Sequence, residues 1–196
     1  MLTDRAAGVY VIAVTPFHDD GRIYEASTDR MVDFYRECGA TGLTILGMMG
    51  EAPKLDTAEA IEFSRRVVRR AAGLPIIVGV SAPGFAAMRT LSRAVMDAGA
   101  AGVMIAPPNT LRTDDQIVGY YDQSVAAIGA DVPFVIQDYP LAIGVVMTTQ
   151  VIRRIVMAHP SRPVRCSGER SLNFPGCSHS PIHFWGSAMV YVSEMN

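Results

Sequence analysis

The residues able to do chemistry in this sequence are few, and they stand in short breaks after apolar runs. Gly47-Met48-Met49-Gly50-Glu51 follows the run that ends at Leu46. Gly47 and Gly50 allow a tight turn whose backbone N–H groups can face an anion. Glu51 brings a carboxylate to that turn, as a general acid or base or as a hydrogen-bonding partner within the loop. Met48 and Met49 have no hydroxyl to donate; they either line an apolar pocket or fill core, since methionine adapts to irregular shapes. Thr15 follows the first apolar run, and Gln137 and Asp138 close the fifth. Asp138 suits a substrate or a metal, or a salt bridge inside its own loop. Covalent amine chemistry would have to come from Lys54, the sole lysine side chain. A Schiff-base former needs burial to lower its pKa, and a loop position predicts a solvated amine instead. Cys166, Cys177, His179 and His183 form a further polar group. Its cysteines lack C-x-x-C spacing and its histidines lack a helical setting, so no metal site is expected. No G-x-S-x-G elbow supports a serine triad.

These breaks are spaced by a regular alternation of Val- and Ile-rich runs with amphipathic segments. The runs are Val9 to Val14, Leu43 to Leu46, Ile76 to Val80, Val103 to Ala106 and Phe134 to Gln137. Between them lie predicted helices. The first presents Met31, Val32, Phe34, Tyr35 and Cys38 as one face and stops at Gly39. Two others open with capping boxes, Asp56 with Glu59 and Thr113 with Gln116. A last helix contains Val151, Ile152, Ile155 and Val156. Five βα units in alternation imply a parallel sheet, because each crossover must be a helix. An open doubly wound sheet and a (β/α)8 barrel both satisfy that pattern.

Composition narrows the partners. The chain has 196 residues, 49% hydrophobic and 18% charged, with a formal net charge of −2. That balance is globular, and without a basic stripe neither nucleic acid nor an anionic membrane is an expected partner. No run is long enough to span a bilayer, no secretory signal is read at the N-terminus, and three cysteines fit a reducing compartment. The expected setting is cytoplasmic.

From about residue 8 to about residue 160 the order of motifs resembles the dihydrodipicolinate synthase and N-acetylneuraminate lyase family, the class I pyruvate aldolases. Val14-Thr15-Pro16-Phe17 with Asp20-Gly21 is similar to that family's first strand and loop. Gly47 to Glu51 stands where the family has G-T-T-G-E, and Pro140 with Gly144 fits its Y-N-x-P-x-x-x-G segment. Ala98-Gly99-Ala100, Pro107-Pro108 and His159-Pro160 fall at matching turns. The resemblance implies a (β/α)8 TIM barrel, a lyase acting on a small 2-oxo acid such as pyruvate, and no cofactor. It implies a substrate-binding set of Thr15, Gly47, Met48, Met49, Gly50, Glu51, Gln137 and Asp138, and a homo-oligomer. It also exposes departures. The family's Schiff-base lysine has no counterpart, and Cys166 is the nearest position; its relay tyrosine is replaced by Gln137, and its two threonines by Met48 and Met49. The alternatives that follow are a catalytically inactive, truncated relic of that family or a non-enzymatic small-molecule-binding α/β module.

Beyond His159 the grammar changes to Ser, His, Pro, Gly and Cys without a helical or strand period. Residues 1–160 are therefore expected to form a partial barrel of five to six βα units. Residues 161–196 are expected to form an irregular or disordered tail, a separate small module or the product of a reading-frame change, of which the reading-frame change is favoured. Such a barrel would leave its first and last strands open at their edges.

Overall fold

Six strands run parallel and in sequence order. They are β1 (Gly8–Ile12), β2 (Gly42–Ile45), β3 (Ile76–Gly79), β4 (Gly102–Ile105), β5 (Phe134–Asp138) and β6 (Val164–Gly168). Helices α1 (Glu25–Glu37), α2 (Thr57–Ala71), α3 (Phe85–Asp97), α4 (Asp114–Ile128), α5 (Pro140–Ile143) and α6 (Thr149–Ala158) connect the first six strands. The computed structural model describes residues 1–2 and 7–159 in full, and the backbone alone of 164–168, 182–185 and 188–191.

Strand order decides between the two architectures. It never reverses from β6 to β1, so right-handed crossovers place every helix on the same side. The opposite strand faces meet one another inside the curl. The two faces accordingly bury separate apolar groups. Leu43, Ile45, Val78, Ile105 and Ile136 pack with helix residues such as Val67, Val95, Tyr121 and Ile152. Tyr10, Ile12, Ile77, Met104 and Val135 pack with one another and with Leu2 inside the curl. Burial on both faces is why these strands read as unbroken apolar runs and not as alternating ones. The fold is an incomplete (β/α)8 TIM barrel.

The stretch read as an irregular tail supplies three strands. β6 pairs with β5; β7 (Ile182–Trp185) and β8 (Ala188–Tyr191) form an antiparallel pair, and β8 runs antiparallel to β1. The edge of β1, expected to be open, is thus occupied, and β7 comes within 8 Å of β6, Cα to Cα. The physical reason is that a sheet edge presents unpaired N–H and C=O groups that any extended segment can satisfy, whatever its period. The boundary expected at residue 160, and Cys177 and His179, lie outside the described residues. His183 falls on β7.

Helices α1 and α2 are joined by charge. Arg66 grips Asp29 through two 2.8 Å hydrogen bonds and reaches Glu25 at 2.6 Å, while Arg70 pairs with Asp33. The Arg66 hydrogen bonds hold the Asp29 carboxyl below its ordinary value of 3.8, and those of Arg70 do the same for Asp33. A carboxyl whose pKa is depressed by folding adds stability above its unfolded value and loses it as pH falls through the folded one. Asp29→Asn should therefore cost at most about 1 kcal/mol at neutral pH, and that cost should shrink as pH falls below 3.8 and vanish only once pH has passed the lowered folded value. Urea melts of both proteins at pH 7 and pH 3 check this; a constant difference between them would refute the assignment.

Candidate functional site

The C-terminal ends of β1 to β6 share one rim because the strands are parallel, and every residue expected to bind substrate stands on it. The turn after β2 is its most constrained part. The chain leaves β2 through Leu46 at φ 53° and enters a 3-10 turn, Ala52–Lys54, through Glu51 at φ 51°. Two non-glycine residues in the left-handed region cost energy that the surrounding structure must supply, and such residues cluster at functional turns. Part of that support comes from β3. A Cβ at Gly79 would lie 2.0 Å from the Leu46 carbonyl oxygen, so only glycine lets the turn settle against the strand. Beneath the turn, a Cβ at Gly47 would lie 3.0 Å from Met104 Cε and 3.5 Å from Ile12 Cγ2.

Hydrogen bonds fix the rest of the turn. The Thr15 hydroxyl, buried after β1, donates to the Gly50 carbonyl at 2.6 Å. Gly50 N–H donates to Gly47 O at 3.0 Å and Glu51 N–H to Met48 O at 3.3 Å. The N–H groups of Met48 and Met49 have no protein acceptor among the described residues. Both residues are exposed, at 39% and 44%. Glu51 forms an ion pair with Lys54, whose side chain is 68% exposed. The sequence's one lysine therefore sits in solvent beside the turn.

Gln137 and Asp138 end β5, both buried. Gln137 continues the inward row of Val135, and Asp138 the helix-side row of Ile136. Tyr139 lies past the strand, where it caps α5. In register, Ser167 stands beside Gln137, and Cys166 stands beside Ile136. The position nearest the expected lysine is thus one residue out of step with Gln137.

One part of the rim was missed in the sequence. A cleft of about 410 Å³ lies between the segment before α4 and the segment after α5, lined by residues including Leu111, Arg112, Ile117 and Val145. The Arg112 guanidinium donates to the carbonyls of Asn109 and Leu111. The available signal was the break at Pro107-Pro108 ahead of the Thr113 capping box. Among the described residues no three His, Cys, Asp or Glu side chains gather as a metal site, and no helix is long and apolar enough to cross a membrane.

Comparison with known proteins places this rim in a family. The sequence model of the Dihydrodipicolinate synthetase family matches residues 5–161. The chain is 33% identical over 159 residues to 4-hydroxy-tetrahydrodipicolinate synthase of Sorangium cellulosum, covering 79% of this chain and 52% of that protein. The crystal structure of dihydrodipicolinate synthase from Rhodopseudomonas palustris is 62% identical with a TM-score of 0.77, over 80% of this chain and 52% of that one. N-acetylneuraminate lyase of Proteus mirabilis, 20% identical with a TM-score of 0.73 over 87% of this chain and 57% of its own, shares the fold. The chain spans about half the length of the relatives it matches. With a rim assembled from the turns after β1, β2 and β5 and a sequence match running through all of them, this chain belongs to the Dihydrodipicolinate synthetase family.

Proposed function

We propose that this chain, a member of a lyase family, binds a small 2-oxo acid such as pyruvate at the turn after β2, and that as it stands it forms no imine with it. The supporting observation is the pair of N–H groups at Met48 and Met49, which no described residue accepts, in a turn braced by Thr15 and Gly79. Adjacent N–H groups in a fixed turn suit a carboxylate. The imine step requires a neutral amine to attack the 2-oxo carbon and expel water. Lys54 is solvated and paired with Glu51, and Gln137, at the position the resemblance gives to a proton-relaying tyrosine, has no titratable proton. Lyase activity in this family reading would thus need groups that the described residues do not bring to the rim. The setting we assign is a cytoplasmic homo-oligomer.

The test combines binding with trapping. Titration of pyruvate into the full chain, followed by NMR, should show saturable binding in the millimolar range or weaker. Borohydride added to the mixture should leave the protein mass unchanged. A mass gain mapped to Lys54 would overturn the absence of imine chemistry. No saturable binding at all would favour an inactive family relic or a non-enzymatic α/β module.

A further inference from the structure

We infer that the turn after β2 selects 2-oxo acids carrying an apolar chain of several carbons over pyruvate, an inference that rests on the 2-oxo acid reading of that turn. The polar groups available to a ligand there are backbone ones. The Thr15 hydroxyl proton is already given to the Gly50 carbonyl at 2.6 Å, and the residues whose N–H groups are available are methionines. The matter beside those N–H groups is apolar. Met48 and Met49, which carry thioethers, are exposed residues at 39% and 44%. Directly under the turn lie Met104 Cε and Ile12 Cγ2, at 3.0 and 3.5 Å from where a Gly47 Cβ would stand. Both belong to the inner apolar group and are buried, so they back the turn from below and leave Met48 and Met49 as its open apolar surface. A carboxylate held by backbone N–H groups at one end and an aliphatic chain against flexible thioethers at the other is the ligand these surfaces complement. The two adjacent methionines also tolerate branching, because methionine re-packs without a fixed rotamer.

The experiment compares pyruvate with 4-methyl-2-oxopentanoate, titrated into the full wild-type chain and followed by NMR. The longer acid should bind at least about tenfold more tightly, since each methylene moved from water adds roughly fourfold. In the double variant Met48→Thr/Met49→Thr, checked for an unchanged melt, that preference should fall to about threefold or less. Equal binding of the two acids by wild type overturns the selectivity and leaves the carboxylate site standing. Tighter binding of the longer acid that persists unchanged in the double variant overturns the role of the two methionines. Binding of neither acid removes both the site and its selectivity.

Discussion

Gly79→Ala should unfold this protein or come close to it. The added methyl would stand 2.0 Å from the Leu46 carbonyl oxygen and 2.7 Å from its carbon. Both are backbone atoms, so no side chain can rotate aside. Either β3 leaves its ladder with β2 and β4, or the turn after β2 lifts off the strand. The first route breaks the middle of the parallel sheet. The second releases Leu46 and Glu51 from left-handed conformations that only tight packing sustains. A cost of about 3–5 kcal/mol is expected, which consumes much of a domain's margin of roughly 5–15 kcal/mol. Urea unfolding followed by circular dichroism measures it. Gly119→Ala is the control: it sits inside α4 with nothing within 4 Å of its new Cβ. It should be neutral or stabilising by up to about 1 kcal/mol, because alanine favours the helix. If Gly79→Ala melts like Gly119→Ala, the close approach of turn and strand is wrong. A soluble Gly79→Ala protein should also lose 2-oxo acid binding, since the N–H groups of Met48 and Met49 depend on that approach.

Phe134→Ala is the second large effect. Phe134 opens β5, is fully buried, and lies on the helix side of the sheet. Its ring stacks on Tyr121 of α4 at 6.4 Å between centroids and meets His159, beyond α6, edge-on at 6.3 Å. His159 in turn contacts Asp122 of α4 at 3.1 Å. Truncation therefore opens a cavity where β5, α4 and the end of α6 meet. Buried phenylalanine truncations cost about 3–5 kcal/mol. The denaturant midpoint should fall with little change in slope. Phe34→Ala, at a residue that is 59% exposed, should stay within about 0.5 kcal/mol. A small loss for Phe134→Ala would mean that the β5–α4 contact does not anchor the strand that carries Gln137 and Asp138.

Much of this was legible in the sequence, for local reasons. The capping boxes at Asp56/Glu59 and Thr113/Gln116 form as read, because a cap needs only residues within one turn of each other. The five apolar runs became strands within one to two residues at each end. Helix faces were less secure. Phe34, grouped with Val32 and Tyr35, turns outward while Val32 is buried, because neighbours two apart on a helix point in widely different directions. The order of motifs identified the family through residues that turns and strand ends demand.

The tertiary structure alone decided three matters. Alternation left barrel and doubly wound sheet open, and only strand order, which involves partners far apart in the chain, separates them. The last thirty-odd residues carry no period, yet β6 and β8 pair with β5 and β1, because a sheet edge recruits backbone and backbone groups are the same in every sequence. The requirement for glycine at position 79 was also invisible: it comes from the Leu46 carbonyl of the neighbouring strand's turn. Residue types along the chain determined which units form and where chemistry could stand. Pairing between strands decided which of those positions face one another, since register is a property of two segments and not of either one.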